Sequence, residues 1–304
     1  MATRGGCRRR GAYRRVRRDR ETRTNVPVHT VLLEALAADE GEARQPFGPT
    51  VVMALVGREL PPMFTIDGIS SVVVAVRQPR PDDALSGRWA LVLPPALARA
   101  RDVRRATFLA GRYCASRALR AAGAPENSVV AVDSSRAPVW PAGFTGSITH
   151  AEGLAAAAAA RSGTVVGVGI DIERLLDPRA ADELQQSVAP EWPKVNIWPP
   201  PTESSRRVAL LTAVFSAKES IYKCLHPVAL EFFEFHDVSV QHIDVAGSKM
   251  VVALNRAIGV FPRGWQTTVH FVFAGEHVHT CAVLYACDRP PEPRQCAAHD
   301  ERSA

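Results

Sequence analysis

Hydrophobic and polar residues alternate with two different periods along this chain, so the sequence predicts both strands and helices. Residues 72–76 form a nearly continuous β-branched run, which is typical of a buried strand. Between residues 97 and 119 apolar side chains recur at helical spacing, with a proline pair at 94–95 before them and Gly123 after them. Because proline favours the first turn of a helix and glycine the position past its end, this stretch predicts one or two amphipathic helices.

The middle of the chain contains a Pro- and Gly-rich stretch followed by two apolar runs. Residues 137–150 ("APVWPAGFTGSITH") predict a loop that ends near His150. The alanine-rich run 154–160 favours a helix by intrinsic propensity. However, only Ser162-Gly163 separates it from the apolar run 164–173, and a short Ser-Gly connection is a hairpin signal. We therefore predict two antiparallel strands joined as a hairpin.

The second half of the chain mixes helical and strand patterns without a regular strand-helix-strand order. Six prolines in residues 177–206 predict a loop-rich insertion with one short helix at residues 180–188. Residues 206–226 have a clear helical pattern that is expected to stop before Pro227. Alternating apolar residues from His236 to Tyr285 predict strands. An α+β fold fits this order better than a doubly wound parallel sheet.

Positive charge is concentrated at the N-terminus of the chain. Residues 1–24 contain ten arginines against two acids, a net charge of +8, whereas the whole chain carries +6. The remainder is therefore slightly acidic, which argues against nucleic-acid binding by the folded body. The basic leader is expected to be disordered; alternatives are an RNA-binding arm, an organelle-targeting segment, or untranslated sequence upstream of a start at Met53 or Met63.

The cysteines and the hydropathy pattern bound the class of protein further. The six cysteines form no CxxC pair and have no regular spacing, so they predict thiols of a reduced compartment rather than disulfides or a zinc finger. No run of about 18 uncharged apolar residues is found, so we expect no membrane-spanning helix.

Two carboxylates end the apolar run "GVGIDIE". Asp171 and Glu173 are two residues apart on a predicted strand, so they share a face and repel each other unless a cation lies between them. Carboxylate oxygens suit magnesium or manganese better than zinc. The alternative is an ordinary strand end that emerges into water.

Further polar residues stand out on apolar or glycine-rich segments. Glu219 and Lys223 are i and i+4 on a helix that is otherwise largely apolar, although such a pair is often only a surface ion pair. His150 follows a glycine-bearing segment whose backbone amides could meet a phosphate. Arg104 and Arg112 are about two helical turns apart, so one helical face could bind an anion. Together these residues indicate phosphoryl or pyrophosphate transfer.

The segments "RRATFLAGRYCASRAL", "RAPVWPAGFTGSITH", "GVGIDIE" and "FSAKESIYK" occur in an order and at a spacing that resemble the 4′-phosphopantetheinyl transferases of the Sfp/EntD type. The resemblance spans roughly residues 60–290. It implies two similar α+β halves related by a pseudo-twofold axis, with coenzyme A bound between them. The expected organisation is a leader at 1–60, an N-terminal half at 61–163, a C-terminal half with the metal site at 164–288, and a disordered tail at 289–304.

The resemblance also implies a reaction and its catalytic groups. A serine of an acyl or peptidyl carrier protein would attack the β-phosphate of coenzyme A, releasing 3′,5′-ADP, as in a holo-[acyl-carrier-protein] synthase. Asp171, Glu173 and Glu219 correspond to the ligands of Mg²⁺ (or Mn²⁺). Lys223 corresponds to the lysine that contacts the pyrophosphate and assists the leaving group, and His150 to the histidine that contacts the phosphates. Glu219 is also a candidate for accepting the serine proton.

Three arginines correspond to the residues that bind the other end of coenzyme A. Arg104, Arg112 and Arg136 match basic positions at the 3′-phosphoadenosine group, although relatives often carry lysine where this chain has Arg136. The pseudo-dimeric fold of the family implies a monomer, and the thiols and the hydropathy pattern predict a cytoplasmic protein without a membrane partner. The "WPAGFTGSITH" form is closer to the EntD group, which suggests a carrier of siderophore or secondary-metabolite biosynthesis.

Other classes of function compete with this interpretation. A metal-dependent nuclease usually places its acid and lysine two apart on a strand, whereas Glu219 and Lys223 are four apart on a helix. A non-catalytic coenzyme A-binding protein of the same fold is a second alternative. A zinc site at His277 and His279 lacks an evident third ligand. The "GVG" of residues 167–169 lacks the third glycine of a dinucleotide-binding loop.

Overall fold

A computed structural model describes residues 56–76, 97, 100–133, 136–198 and 203–290, which form two main sheets and three helices. The strands are β1 Val56–Leu60, β2 Ser70–Val76, β3 Ala131–Val132, β4 Pro138–Val139, β5 Phe144–Ala151, β6 Leu154–Arg161, β7 Val165–Arg174, β8 Asn196–Trp198, β9 Val238–Asp244, β10 Lys249–Leu254, β11 Gln266–Ala274 and β12 His277–Tyr285. The helices are α1 Asp102–Ala121, α2 Pro178–Ser187 and α3 Ser204–Ala229. This mixture confirms the predicted α+β class.

The first main sheet has the strand order β1-β2-β6-β5, with every neighbouring pair antiparallel. Strand β6 is buried on both faces, which explains its run of alanines. On one face, alternate alanines pack in a hydrophobic cluster with Leu119 and other apolar residues of α1. On the opposite face, the intervening alanines pack in a cluster with Val168 and Ile170 of β7. Small side chains let a helix and a second sheet approach the same strand.

The second main sheet has the order β7-β12-β11-β10-β9-β8. Its strands pair antiparallel except β8, which runs parallel to β9. Helix α3 packs on this sheet, and the largest hydrophobic cluster lies between them, around side chains such as Leu211, Val214, Ile243 and Phe271. The helix is therefore apolar nearly all round, and its buried polar residues are the exceptions that require a partner.

Two connections differ from the sequence prediction. Ser162 and Gly163 do connect two strands, as predicted, but β6 and β7 do not form a hairpin because they belong to different sheets. Both edges of β6 are already occupied by β2 and β5, so β7 pairs with β12 instead. The loop expected at residues 137–150 is largely wrong: β4 pairs with β3, and β5 pairs with β6 along its whole length. Long-range pairing here overrides the local glycine and proline signal.

The end of helix α3 and the start of the first sheet also differ from the prediction. Helix α3 continues through Pro227, because a proline in the last turn removes only one backbone hydrogen bond. The helix ends at Ala229, and the next residue, Leu230, has a left-handed φ of 53°. Strand β1 lies inside the stretch predicted to be a disordered leader, since its pairing with β2 extends the first sheet. The short helix predicted at 180–188 is confirmed as α2, which Asp177 caps.

The leader, the tail and the relation between the two halves were also predicted from the sequence. Residues 1–55 of the leader and 291–304 of the tail lie outside the described residues. The boundary between two halves near residue 163 coincides with the passage of the chain from the first sheet to the second. A pseudo-twofold relation between the halves stays a prediction.

Candidate active site

Helix α3 lies directly against β7 at two glycines, and this close approach creates the site. A Cβ on Gly169 would lie 1.8 Å from the Ser220 carbonyl oxygen, and one on Gly167 would lie 2.5 Å from the Cys224 carbonyl oxygen. No larger residue fits between helix and strand there. Asp171 and Glu173 follow on the same face of β7. The strand thus presents its two acids to the helix that carries Glu219 and Lys223.

Asp171 is the centre of the hydrogen-bond network. Its carboxylate is 1% exposed. Lys223 Nζ lies 2.6 Å from Asp171 Oδ1, and Thr149 Oγ1 of β5 donates to the same oxygen at 3.1 Å. Ser216 Oγ donates to Asp171 Oδ2 at 2.8 Å. Lys223 Nζ also donates to the Ile170 carbonyl at 3.2 Å. Asp171, on the second main sheet, is therefore bound by a residue of the first main sheet and by two residues of α3.

Glu173 and Glu219 lie in the electrostatic field of this ion pair. Burial and the neighbouring Asp171 charge raise the pKa of Glu173 to about 9, although Lys223 opposes the shift. Burial also raises the pKa of Glu219 to about 7, with Lys223 opposing and Asp171 adding to the rise. Burial alone would lower the Lys223 pKa, but Asp171 and Glu219 outweigh it and raise the pKa. Three acids and one lysine form a coupled charge cluster.

The carboxylates suit a hard divalent cation in their chemistry. Glu173 Oε1 is buried without a hydrogen-bond partner in the described part of the chain, and an orphaned carboxylate oxygen is an available ligand. Among the residues that the structure describes, no three histidine, cysteine, aspartate or glutamate side chains are already arranged as a metal-ligand set. The ammonium group of Lys223 neutralises Asp171 in this arrangement.

His150 and Arg104 continue the cluster on the side of the first sheet. Arg104 Nη1 of α1 lies 3.0 Å from His150 Nε2 at the end of β5. Burial lowers the pKa of His150 to about 4, and Arg104 and Lys223 add to the shift. The histidine is therefore neutral near pH 7, and its Nε2 accepts the hydrogen bond from Arg104. A neutral imidazole beside two cations leaves the positive charge of Arg104 and Lys223 available to an anion.

The three arginines have different surroundings. Arg136 is exposed, has a left-handed φ of 72°, and lies close enough to Arg104 to lower the Arg104 pKa together with burial. Arg112 is 8% exposed, donates to the Val130 carbonyl at 3.3 Å and stacks on the Phe108 ring. Burial lowers the pKa of Arg112 to about 10. Arg104 and Arg136 thus share a region with His150, whereas Arg112 has packing partners of its own.

Sequence reasoning missed the buried hydroxyl groups around Asp171. Thr149 and Ser216 bind its carboxylate, and Thr280 of β12 lies 2.9 Å from Ser216 Oγ. A serine in the middle of an apolar helix was the available signal, because a buried hydroxyl needs a partner. Lys218, also on α3, is a structural residue: it is buried and pairs with Glu191 at 2.7 Å.

The two strand histidines do not form a site in this region. His279 is 3% exposed. Burial lowers its pKa to about 4, and the neighbouring charge of His277 adds a smaller decrease. No group of three potential ligands includes them among the described residues.

Two family models match the chain. The model of the 4′-phosphopantetheinyl transferase N-terminal domain matches residues 93–160, and that of the 4′-phosphopantetheinyl transferase superfamily matches residues 167–282. The first match covers α1, β5 and most of β6, and the second covers α3 and most of β7 and β12. All eight residues singled out by the sequence, from Arg104 to Lys223, lie inside these two matches.

Characterised proteins show the same similarity. The chain is 31% identical to 4′-phosphopantetheinyl transferase Npt of Nocardia iowensis over 146 residues, which is 47% of this chain and 62% of the relative. It is 38% identical to enterobactin synthase component D of Salmonella typhi over 121 residues, 40% of this chain and 47% of the relative. Against enterobactin synthase component D of Escherichia coli O157:H7 it is 31% identical over 169 residues, 54% of this chain and 72% of the relative. The match thus spans less than two thirds of the first two relatives.

Proposed function

Because the chain belongs to the 4′-phosphopantetheinyl transferase superfamily, we propose that it transfers the 4′-phosphopantetheine group of coenzyme A to a serine hydroxyl of a carrier protein. The observation that carries this proposal is the junction between the two main sheets. There Lys223 pairs with Asp171 and donates to Thr149, and His150, the next residue along β5, pairs with Arg104. Cations for a pyrophosphate and acids for a divalent metal lie side by side.

Coenzyme A is a polyanion, and the basic residues on the side of the first sheet suit it. We assign Arg104, Arg136 and His150 to its phosphate groups, since an arginine fork binds phosphate bidentately and a neutral imidazole that accepts at Nε2 can donate its other ring N–H. The partly buried Arg104 next to the exposed Arg136 supports an anion site open to solvent. We also assign Arg112 to coenzyme A, on the resemblance to the family alone. Its guanidinium donates a hydrogen bond to the Val130 carbonyl.

We assign Asp171, Glu173 and Glu219 to a Mg²⁺ or Mn²⁺ ion. The orphaned Glu173 Oε1 and the pKa values of Glu173 and Glu219, which burial raises and Asp171 raises further, support this assignment, because a cation relieves the repulsion between buried carboxylates. When bound, such an ion supplies charge neutralisation on the pyrophosphate of coenzyme A.

The remaining chemistry falls to residues of the chain. The serine oxygen forms a bond to the β-phosphorus of coenzyme A, and the bond from that phosphorus to the bridging oxygen breaks, so that 3′,5′-ADP leaves with the negative charge. Lys223 offsets the charge that develops on the leaving oxygen. We also assign to Glu219 the acceptance of the serine proton, directly or through a water molecule.

The acceptor is an acyl or peptidyl carrier protein. The similarity to enterobactin synthase component D supports a carrier of siderophore or secondary-metabolite biosynthesis. We place the reaction in the cytoplasm, which suits the free thiols of Cys114, Cys224, Cys281 and Cys287. We expect a monomer, because one chain supplies every residue assigned to the site. Within the described residues, no helix has the length and apolar character needed to cross a membrane.

The test is release of 3′,5′-ADP from coenzyme A, measured chromatographically with an apo carrier protein and with the same carrier whose acceptor serine is changed to alanine. We expect release with the first and none with the second. Coenzyme A binding without release on any carrier would favour a non-catalytic coenzyme A-binding protein. Cleavage of a nucleic acid instead would favour the nuclease alternative.

A further inference from the structure

A cluster of buried hydroxyl groups contacts Asp171 at Oδ2, whereas Lys223 contacts the other carboxylate oxygen, Oδ1. Ser216 Oγ donates to Asp171 Oδ2 at 2.8 Å. Thr280 Oγ1 lies 2.9 Å from Ser216 Oγ and 2.9 Å from the Ser216 carbonyl oxygen. Ser220 Oγ lies 2.6 Å from Thr280 Oγ1. Ser216, Ser220 and Thr280 have no exposed surface, so each hydroxyl must find its partners within the protein.

The charge of the ion pair fixes the direction of these hydrogen bonds. A carboxylate paired with Lys223 accepts only, so the Ser216 proton points to Asp171 Oδ2. Thr280 has one proton, which it donates to Ser216, either to the hydroxyl or to the carbonyl oxygen. Ser220 is left to donate to Thr280. The Ser216 proton is therefore fixed on the Asp171 carboxylate, and Thr280 holds Ser216 in place.

The two carboxylate oxygens of Asp171 differ in the number of hydrogen bonds that they accept. Asp171 Oδ1 already accepts from Lys223 and from Thr149, which uses its two lone pairs. Asp171 Oδ2 accepts from Ser216 alone among the described residues, so one lone pair is left on this oxygen. Strand pairing places Thr280 directly opposite Asp171 on β12, so the hydroxyls are held by the sheet as well as by α3.

We propose that Ser216, held by Thr280, is a positioning residue that orients Asp171 so that Oδ2 presents its free lone pair to the divalent cation of the transfer reaction. This inference rests on the proposed function. Outer hydrogen-bond partners of metal ligands generally set metal affinity, and their loss typically weakens binding by about 10- to 100-fold. Ser216 itself touches neither substrate nor metal.

The test compares Ser216→Ala with Thr212→Val, which removes another buried hydroxyl from the same helix. Thr212 donates to the Val208 carbonyl and accepts from the Leu176 amide, without contact to Asp171. Mn²⁺ affinity is measured by electron paramagnetic resonance in the presence of coenzyme A, alongside the unfolding temperature and the Mg²⁺ concentration for half-maximal transfer. We expect about tenfold weaker Mn²⁺ binding, and a matching rise in the Mg²⁺ requirement, for Ser216→Ala only.

Two further variants keep the test decisive. Thr280→Val is expected to weaken Mn²⁺ binding less than Ser216→Ala, since it acts through the serine. If Ser216→Ala does not fold, Ser216→Cys, which keeps the size and a weaker donor, should show an intermediate loss. Equal Mn²⁺ affinities for the Ser216 and Thr212 variants would overturn the positioning role alone. Mn²⁺ binding by a wild-type protein that transfers nothing would overturn the proposed function instead, and no Mn²⁺ binding by the wild type would overturn both.

Discussion

Lys223 Nζ and Asp171 Oδ1 are 2.6 Å apart, and this ion pair joins helix α3 to strand β7 at the point where the first sheet also contacts them. Asp171 is 1% exposed, whereas the Lys223 side chain is 22% exposed. The lysine therefore reaches from the surface into the junction. One ammonium group both neutralises a buried acid and keeps part of its side chain exposed to solvent.

Replacing the lysine separates these two roles. Lys223→Met leaves Asp171 buried without its countercharge, so we expect a loss of stability of about 3 kcal/mol. Transfer should fall by about 100-fold or more, because a group that stabilises the leaving oxygen is lost. Thermal unfolding and 3′,5′-ADP release measure the two effects. Lys249→Met, at an exposed lysine of β10, is the control and should change stability by less than ~0.5 kcal/mol. Retention of wild-type transfer by Lys223→Met would contradict the assignment.

Glu173 should make the metal-free protein less stable at high pH. The folded-state pKa, raised by burial to about 9, exceeds the ordinary value of 4.5, so the folded form binds more protons between these limits. The free energy of unfolding then falls as pH rises from about 4.5 to about 9, by at most ~1.4 kcal/mol per pH unit from this group. Glu173→Gln removes the ionisation. It should therefore be more stable than the wild type near pH 8.5 in chelator, with a smaller difference near pH 5.

Mg²⁺ supplies the control for that experiment. A cation that binds the ionised carboxylates should stabilise the wild type increasingly as pH rises, and should stabilise Glu173→Gln much less. A wild-type protein whose unfolding temperature shows the same pH dependence as the glutamine variant, with and without Mg²⁺, would contradict the charge cluster.

The glycine face of β7 gives a prediction about the fold. Gly169→Ala would place a Cβ 1.8 Å from a backbone carbonyl oxygen of α3, so helix and strand must move apart. We expect a loss of about 3 kcal/mol or more in chemical denaturation, together with reduced transfer. Gly111→Ala in α1 is the matched comparison: its Cβ would lie 2.9 Å from a side-chain methyl group of Ile148 rather than from backbone, and alanine favours a helix by up to ~1 kcal/mol, so we expect a smaller loss. Similar effects of the two variants would exclude a special role for the β7 contact.

Arg104 should act on coenzyme A binding rather than on the chemical step. We expect Arg104→Ala to raise the KM for coenzyme A by about tenfold, with a smaller change in kcat, because it removes a phosphate contact and the partner of His150. Arg120→Ala, about 24 Å further along α1, should leave the KM unchanged. A variant with normal KM but low kcat would instead place Arg104 in the chemical step.

The sequence predicted the components of the site better than their surroundings. Asp171 and Glu173 share a face of β7, and Glu219 and Lys223 share α3, as periodicity predicts. The glycines of "GVGIDIE" were used only to exclude a dinucleotide loop. Their role in bringing α3 onto β7 depends on a contact between segments about fifty residues apart, which no local pattern contains.

Strand pairing accounts for the larger errors. The stretch before His150 has loop composition, yet β5 is a full strand because β6 offers it an edge. The Ser162-Gly163 connection has hairpin composition, yet β7 leaves for the second sheet because both edges of β6 are taken. In both cases the availability of a sheet edge decides the outcome, and this is a property of the whole fold. The buried hydroxyl of Ser216 was missed for a similar reason, since its partners Asp171 and Thr280 lie far away in sequence.

The most direct test of the central claim is the intact mass of an apo carrier protein after incubation with this protein, coenzyme A and Mg²⁺. Glu219→Gln and a metal-free sample run in parallel. We expect the carrier to gain ~340 Da, the mass of one phosphopantetheine group, only in the wild-type sample with metal. An unchanged mass across acyl and peptidyl carriers, from a protein that is folded and binds coenzyme A, would contradict the proposed transfer.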